Sequence, residues 1–189
     1  MSPKKTKSYQ EYMEHTLIPG ICKMQSERLA FLSFGILGIS IEVLGSFFDE
    51  RPLDEQGFSK QRFKRAVDRL LRPQNPTYAN TCLCKKNEHN DYCLYRGLRC
   101  GMAHIGRPQG KIVFTTRDEA RSDQNTHLSR DCRGMLVLVA EDLADDFIAG
   151  WRVLKTLSEN CETKKKVTDP YLTVYNYENY GSSTDAFRL

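Results

Sequence analysis

The sequence is short of several things that decide class early. It has no internal repeat, and no low-complexity segment beyond the run Lys164, Lys165, Lys166, so repeat arrays are excluded. It has no strong charge of either sign. A formal net charge of +4 over 189 residues is compatible with a polyanionic partner without demanding one. It has no C-x2-C pair, and its seven cysteines are an odd number. The basic residues 1–7 are followed by polar residues 8–14, where a secretory signal would carry an apolar core. The expectation is a cytoplasmic protein with free thiols and no cofactor. What remains is an ordinary globular balance, 40% hydrophobic and 28% charged, expected to form a single domain over 1–189.

One apolar run reaches the length of a membrane span: "LAFLSFGILGISIEVLGSFF", residues 29–48. It contains Glu42, and its small or polar residues are ordered. Gly35, Gly38, Glu42, Gly45 and Asp49 recur at three- and four-residue spacing, which is one stripe of a helix. Such a stripe lets another backbone come close, within one chain or between two. A buried helix is expected here, and no membrane association.

Periodicity and breakers give a mainly α architecture of four or five main helices, with a helical core over about 9–158. Helices are expected at 8–17, ending at Pro19-Gly20, and at about 24–48. A third, 60–71, is capped by Ser59, a fourth covers 92–104, and a long last helix starts near Asn125 or Thr126 and ends near Asn160. "RDEARSDQN" reads as loop. Two segments alternate like strands, 112–115 and 172–175. A lone strand cannot satisfy its own backbone, so the two are expected to pair in a small two-stranded ribbon, with a C-terminal strand and tail at 168–189.

The stretch "LYRGLRCGMAHIGRP", residues 94–108, raises the question of chemistry. Arg99 and His104 close an apolar segment that Gly106 and Pro108 then break. The spacing alone is not informative, because Arg121 and His127 form a similar pair in a polar loop. Context singles out the first pair: Tyr92, Tyr95, Leu98 and Met102 share one side, and Gly97 and Gly101 allow close packing. On an ideal α-helix, residues five apart lie about 140° apart, so the two side chains converge only if the helix is unwound.

These residues resemble the Arg-x4-His signature of the HEPN (higher eukaryotes and prokaryotes nucleotide-binding) superfamily. The "RFKRAVDRLL" helix before it and "AEDLADDFIAGW" after it agree in order, and the resemblance spans roughly residues 9–158. It implies a HEPN-like helical bundle that dimerises. It also implies a metal-independent endoribonuclease with Arg99 and His104 at a dimeric composite site. Cys100 stands where many active members carry Asn, Asp or His. A non-catalytic module that binds a nucleotide, RNA or a protein is the alternative that this position favours.

Three further groups carry candidate roles. Arg62, Arg65, Arg69 and Arg72 recur along one face of the third helix and suit a phosphate backbone, or a solvated face paired with acids. Cys82, Cys84, His89 and Cys93 supply four zinc-type ligands within twelve residues, although C-x-C is tighter than the usual knuckle. Zinc is therefore not expected, and a zinc-stabilised module or a purely structural dimer is the third reading. The acidic group Glu141, Asp142, Asp145 and Asp146 reads as counter-charge or solubility rather than as a metal site.

Overall fold

The computed structural model describes residues 5–52, 55–81, 91–158 and 170–174. Strand β1 (Lys5–Ser8) leads into a continuous helix made of α1 (Tyr9–Tyr12), a π-turn (Met13–Leu17) and α2 (Ile18–Ser26). Ser8 caps it through a reciprocal pair of bonds with Glu11. Pro19 does not end this helix. The π-turn, closed by Ile18 N–H donating to Met13 O, shifts the hydrogen-bond register so that Pro19 falls in the first turn of α2. No intrahelical donor is needed there.

The expected helix at 24–48 is broken instead. Arg28 adopts a left-handed conformation (φ 61°), Leu29 N–H donates to Met24 O at 2.7 Å, and Arg28 N–H donates to Gln25 O at 3.3 Å. This is a Schellman stop with arginine in the place glycine usually takes, so the sequence carries no breaker to mark it.

Helix α3 (Ala30–Ser46) follows and touches α2, the third helix, the 95–105 helix, the last helix and one strand. The third helix is α4 (Ser59–Ala66), continued by a π-turn (Val67–Leu71). Its N-cap is Phe58, whose carbonyl accepts from Arg62 N–H, and not the expected Ser59. A short 3-10 turn (Pro76–Asn80) follows. The fourth helix is a π-turn (Tyr95–Cys100) running into α5 (Gly101–Ile105), which Gly106 ends in the left-handed region (φ 71°).

The strand pairings differ from expectation. Strand β2 (Ile112–Thr115) runs parallel to β3 (Leu136–Val139), with Ile112 opposite Leu136 and Thr115 opposite Val139. Strand β4 (Pro170–Val174) pairs antiparallel with β1, not with 112–115; Tyr175 lies outside the described residues. Residues 136–139, expected within the last helix because Leu136 and Val139 fit the helical spacing of its apolar positions, form a strand buried on both faces. Leu136 and Leu138 enter the main core, while Val137 and Val139 lie under Ala120 of α6 (Arg117–Ser122). Helix α6 replaces an expected loop, and Thr116 and Glu119 form its capping box. Helix α7 (Ala140–Ser158) starts only after β3. No helix among the described residues is long and apolar enough to cross a membrane.

Aromatic packing closes the core around α3: Tyr9 lies 4.7 Å from Phe47 and 5.9 Å from Trp151, ring centre to ring centre. The glycine stripe works within the chain. A Cβ on Gly45 would overlap the Arg62 carbonyl of α4, and one on Gly38 would lie 3.2 Å from Arg99 Cα. Gly45→Ala must separate α3 from α4 and is expected to cost about 3 kcal/mol by urea unfolding. Gly20→Ala, in a helix with open space around it, is expected to gain about 0.5–1 kcal/mol in the same measurement.

Candidate functional site

Arg99 and His104 meet at the exposed end of the fourth helix. The underwound turn from Tyr95 to Cys100 includes Arg99 and brings residues five apart toward one line. Arg99 Nη1 lies 3.4 Å from His104 Nε2. A guanidinium only donates, so Nε2 is the acceptor in this arrangement, and the neutral ring carries its proton on Nδ1. The imidazole is exposed, so an incoming group can reach it.

A third residue completes the cluster. Arg99 Nε donates to Glu42 Oε2 at 2.5 Å, and both side chains are mostly covered, 19% and 15% exposed. Burial opposes the charge on Arg99, but the hydrogen bond and the charge of Glu42 outweigh it, and the guanidinium is held above its usual range. Tyr95 stands beside them. Burial first, and then the adjacent Cys100 thiol, push its phenol up to about 12, so it stays protonated near neutral pH. Its ring packs edge-on against Phe63. Sequence periodicity placed Glu42 on the small-residue stripe of α3. Nothing in the sequence tied it to Arg99, 57 residues away.

No family model, curated protein or solved structure matches the chain. The chemistry therefore has to be read from the geometry. One cation, one titratable ring and one carboxylate lie within hydrogen-bond reach in a chain. Such a set can hold a phosphate oxygen on the arginine and move a proton on the histidine.

The arginine stripe divides. Arg62 is 3% exposed and fully engaged: Nε donates to Asp49 Oδ2 at 3.2 Å, Nη2 to Pro52 O at 2.7 Å and Nη1 to Glu55 O at 3.3 Å. It ties the 49–55 loop to α4 and is closed to a phosphate backbone. Arg65 shares the same Asp49 carboxylate at 2.9 Å. Arg69 lies over the Phe48 ring, and Arg72 is exposed at the helix end. Among the proposed zinc ligands, Cys82, Cys84 and His89 lie outside the described residues, and Cys93 is buried. Among the described residues no cluster of three or more His, Cys, Asp or Glu could hold a metal ion. The acidic face of α7 acts as counter-charge. Arg117 reaches Asp142 and Asp145, and its backbone N–H donates to Glu141.

The other Arg–His pair comes apart. Arg121 is exposed, while the His127 side chain is 5% exposed and built into the fold. His127 Nδ1 accepts from Val139 N–H at 3.0 Å, and Nε2 lies 3.4 Å from the Tyr78 hydroxyl. Burial pushes the imidazole down to about 4; Asp142 pulls it up and Arg117 pushes it further down, and burial prevails. The folded protein thus takes up this proton less readily than the unfolded chain does. The associated stability is complete above the unfolded value near 6.5 and is lost as pH falls through about 4. We expect a loss of about 3 kcal/mol by pH 4 that is missing from His127→Asn, read from urea midpoints of the two proteins at pH 7 and pH 4.

Proposed function

We propose that the chain is a HEPN-like protein that acts on RNA as a metal-independent endoribonuclease, with Arg99 and His104 as its reactive pair. The observation that carries the reading is the 3.4 Å contact between Arg99 Nη1 and His104 Nε2 at an exposed helix end, with the arginine anchored from behind by Glu42. RNA brings its own nucleophile. A scissile phosphate on Arg99 competes with the imidazole for the guanidinium and leaves Nε2 free to take the 2′-hydroxyl proton. The 2′-oxygen attacks the adjacent phosphorus, the P–O5′ bond breaks, and a 2′,3′-cyclic phosphate and a 5′-hydroxyl end result. Arg99 stabilises the charge on the phosphorane.

The departing 5′-oxygen needs a proton, and a second pair across a twofold axis supplies the donor. A homodimer is therefore part of the proposal. The support for it is an exposed apolar strip on α3. Leu29, Leu32, Ile36 and Ile39 are 45%, 56%, 38% and 44% exposed and follow the three-four-three spacing of a helix–helix seam. The strip lies one residue round the helix from Gly35, Gly38 and Glu42, which carry the Arg99 segment. Ile105, the residue after His104, is also exposed, at 53%.

The non-catalytic reading rests on Cys100, whose half-buried thiol beside the Tyr95 hydroxyl stands where the resemblance expects Asn, Asp or His after the arginine. Incubation with mixed RNA in EDTA separates the readings. Cleavage to cyclic-phosphate ends, reduced about a hundredfold or more in both His104→Ala and Arg99→Ala, is the expected result. RNA binding without cleavage, steeply salt-dependent and weakened in Arg99→Ala, would replace the enzyme with a binding module. Sedimentation equilibrium at tens of micromolar is expected to give a dimer that Ile36→Asp converts to a folded monomer with little cleavage. A wild-type monomer would count against the composite site.

A further inference from the structure

Glu42 does more in this cluster than pair with a neighbour. The guanidinium is a rigid fork of donors, and a single bound edge fixes where the others point. Glu42 Oε2 takes the Nε edge, and in that pose Nη1 faces His104. Glu42 is itself fixed. It lies one turn after Gly38, against which the Arg99 backbone packs, so its reach to Nε is set by helix packing rather than by a mobile loop.

Charge adds to geometry. An imidazole next to an uncompensated arginine pays for protonation with the repulsion of two adjacent cations. His104 faces Arg99 of its own helix, and behind Arg99 lies Glu42 from α3; the protonated Tyr95 phenol stands beside them. With Glu42 ionised, the Arg99 charge is offset, and proton uptake leaves the trio with one net positive charge rather than two.

We propose that Glu42 is the positioning residue of the Arg99–His104 pair: it aims the guanidinium at the imidazole and offsets its charge, so that His104 can cycle between proton acceptor and donor. The role rests on reading Arg99 and His104 as the reactive pair, but its test needs no RNA.

The ring resonances of His104 are followed by NMR against pH in the full chain, in wild type, Glu42→Gln and Arg99→Ala. Loss of the carboxylate charge is expected to lower the His104 midpoint in Glu42→Gln by about half a pH unit or more. Loss of the cation, with Glu42 left unopposed, is expected to raise it in Arg99→Ala. The Arg99 Nε–H resonance is expected to lie nearer its free position in Glu42→Gln than in wild type, where Glu42 accepts that hydrogen bond. A folded Glu42→Gln whose midpoint matches wild type would overturn the proposal. If Glu42→Gln does not fold, an Arg99→Ala midpoint that stays put or falls would overturn it equally. A protein that shows these shifts yet cleaves no RNA would defeat the ribonuclease reading and leave Glu42's role standing.

Discussion

Close backbone approach to α3 is the constraint on which the rest of the structure depends. Gly45 leaves no room for a side chain against the Arg62 carbonyl of α4, and a Cβ on Gly38 would lie 3.2 Å from Arg99 Cα, tighter than ordinary contact. Both neighbours sit nearer the α3 axis than a helix of larger residues would permit. Two charged residues of the same stripe, Glu42 and Asp49, are thereby set against arginines that arrive on those neighbours.

The two pairs have similar chemistry and different surroundings. Asp49 lies between Arg62 and Arg65 and is 7% exposed; Arg62 spends its remaining donors on loop carbonyls. Nothing is left to offer a ligand, and the assembly serves to fasten the 49–55 segment. Glu42 engages only the Nε edge of Arg99, and the other edge turns toward an exposed histidine. Burial and hydrogen-bond saturation make one arginine structural. Incomplete saturation at a helix end makes the other available. The same distinction separates the histidines: His104 is open, while His127 is enclosed and accepts a backbone N–H.

Much of the fold was legible because local signals and burial agree in it. The helix opening at residue 8, the helical spacing of 60–71 and the Gly106 stop all read correctly from the residues. The errors have physical causes. Arg28 ends a helix in a conformation that its residue type does not advertise. Strand β3 hides its two-residue period because two separate cores claim its two faces. Two capping boxes, Ser8 with Glu11 and Thr116 with Glu119, were present in the sequence as signals that pattern reading could have caught. Pairing of 112–115 with 136–139 rather than 172–175 was beyond local reasoning, since alternation identifies a strand but not its partner.

By itself the sequence determined a mainly helical chain, a small-residue stripe on a long apolar helix, and an arginine and a histidine five residues apart ahead of a break. These follow from periodicity, side-chain size and backbone stops, which are properties of neighbouring residues. Only the tertiary structure decided that the stripe is used inside the chain, that Arg62 is sealed while Arg99 is open, and that Glu42 anchors the pair. Those outcomes depend on which surfaces meet across the core. Residues 57 positions apart come within hydrogen-bond distance because Gly38 lets the Arg99 helix close on α3.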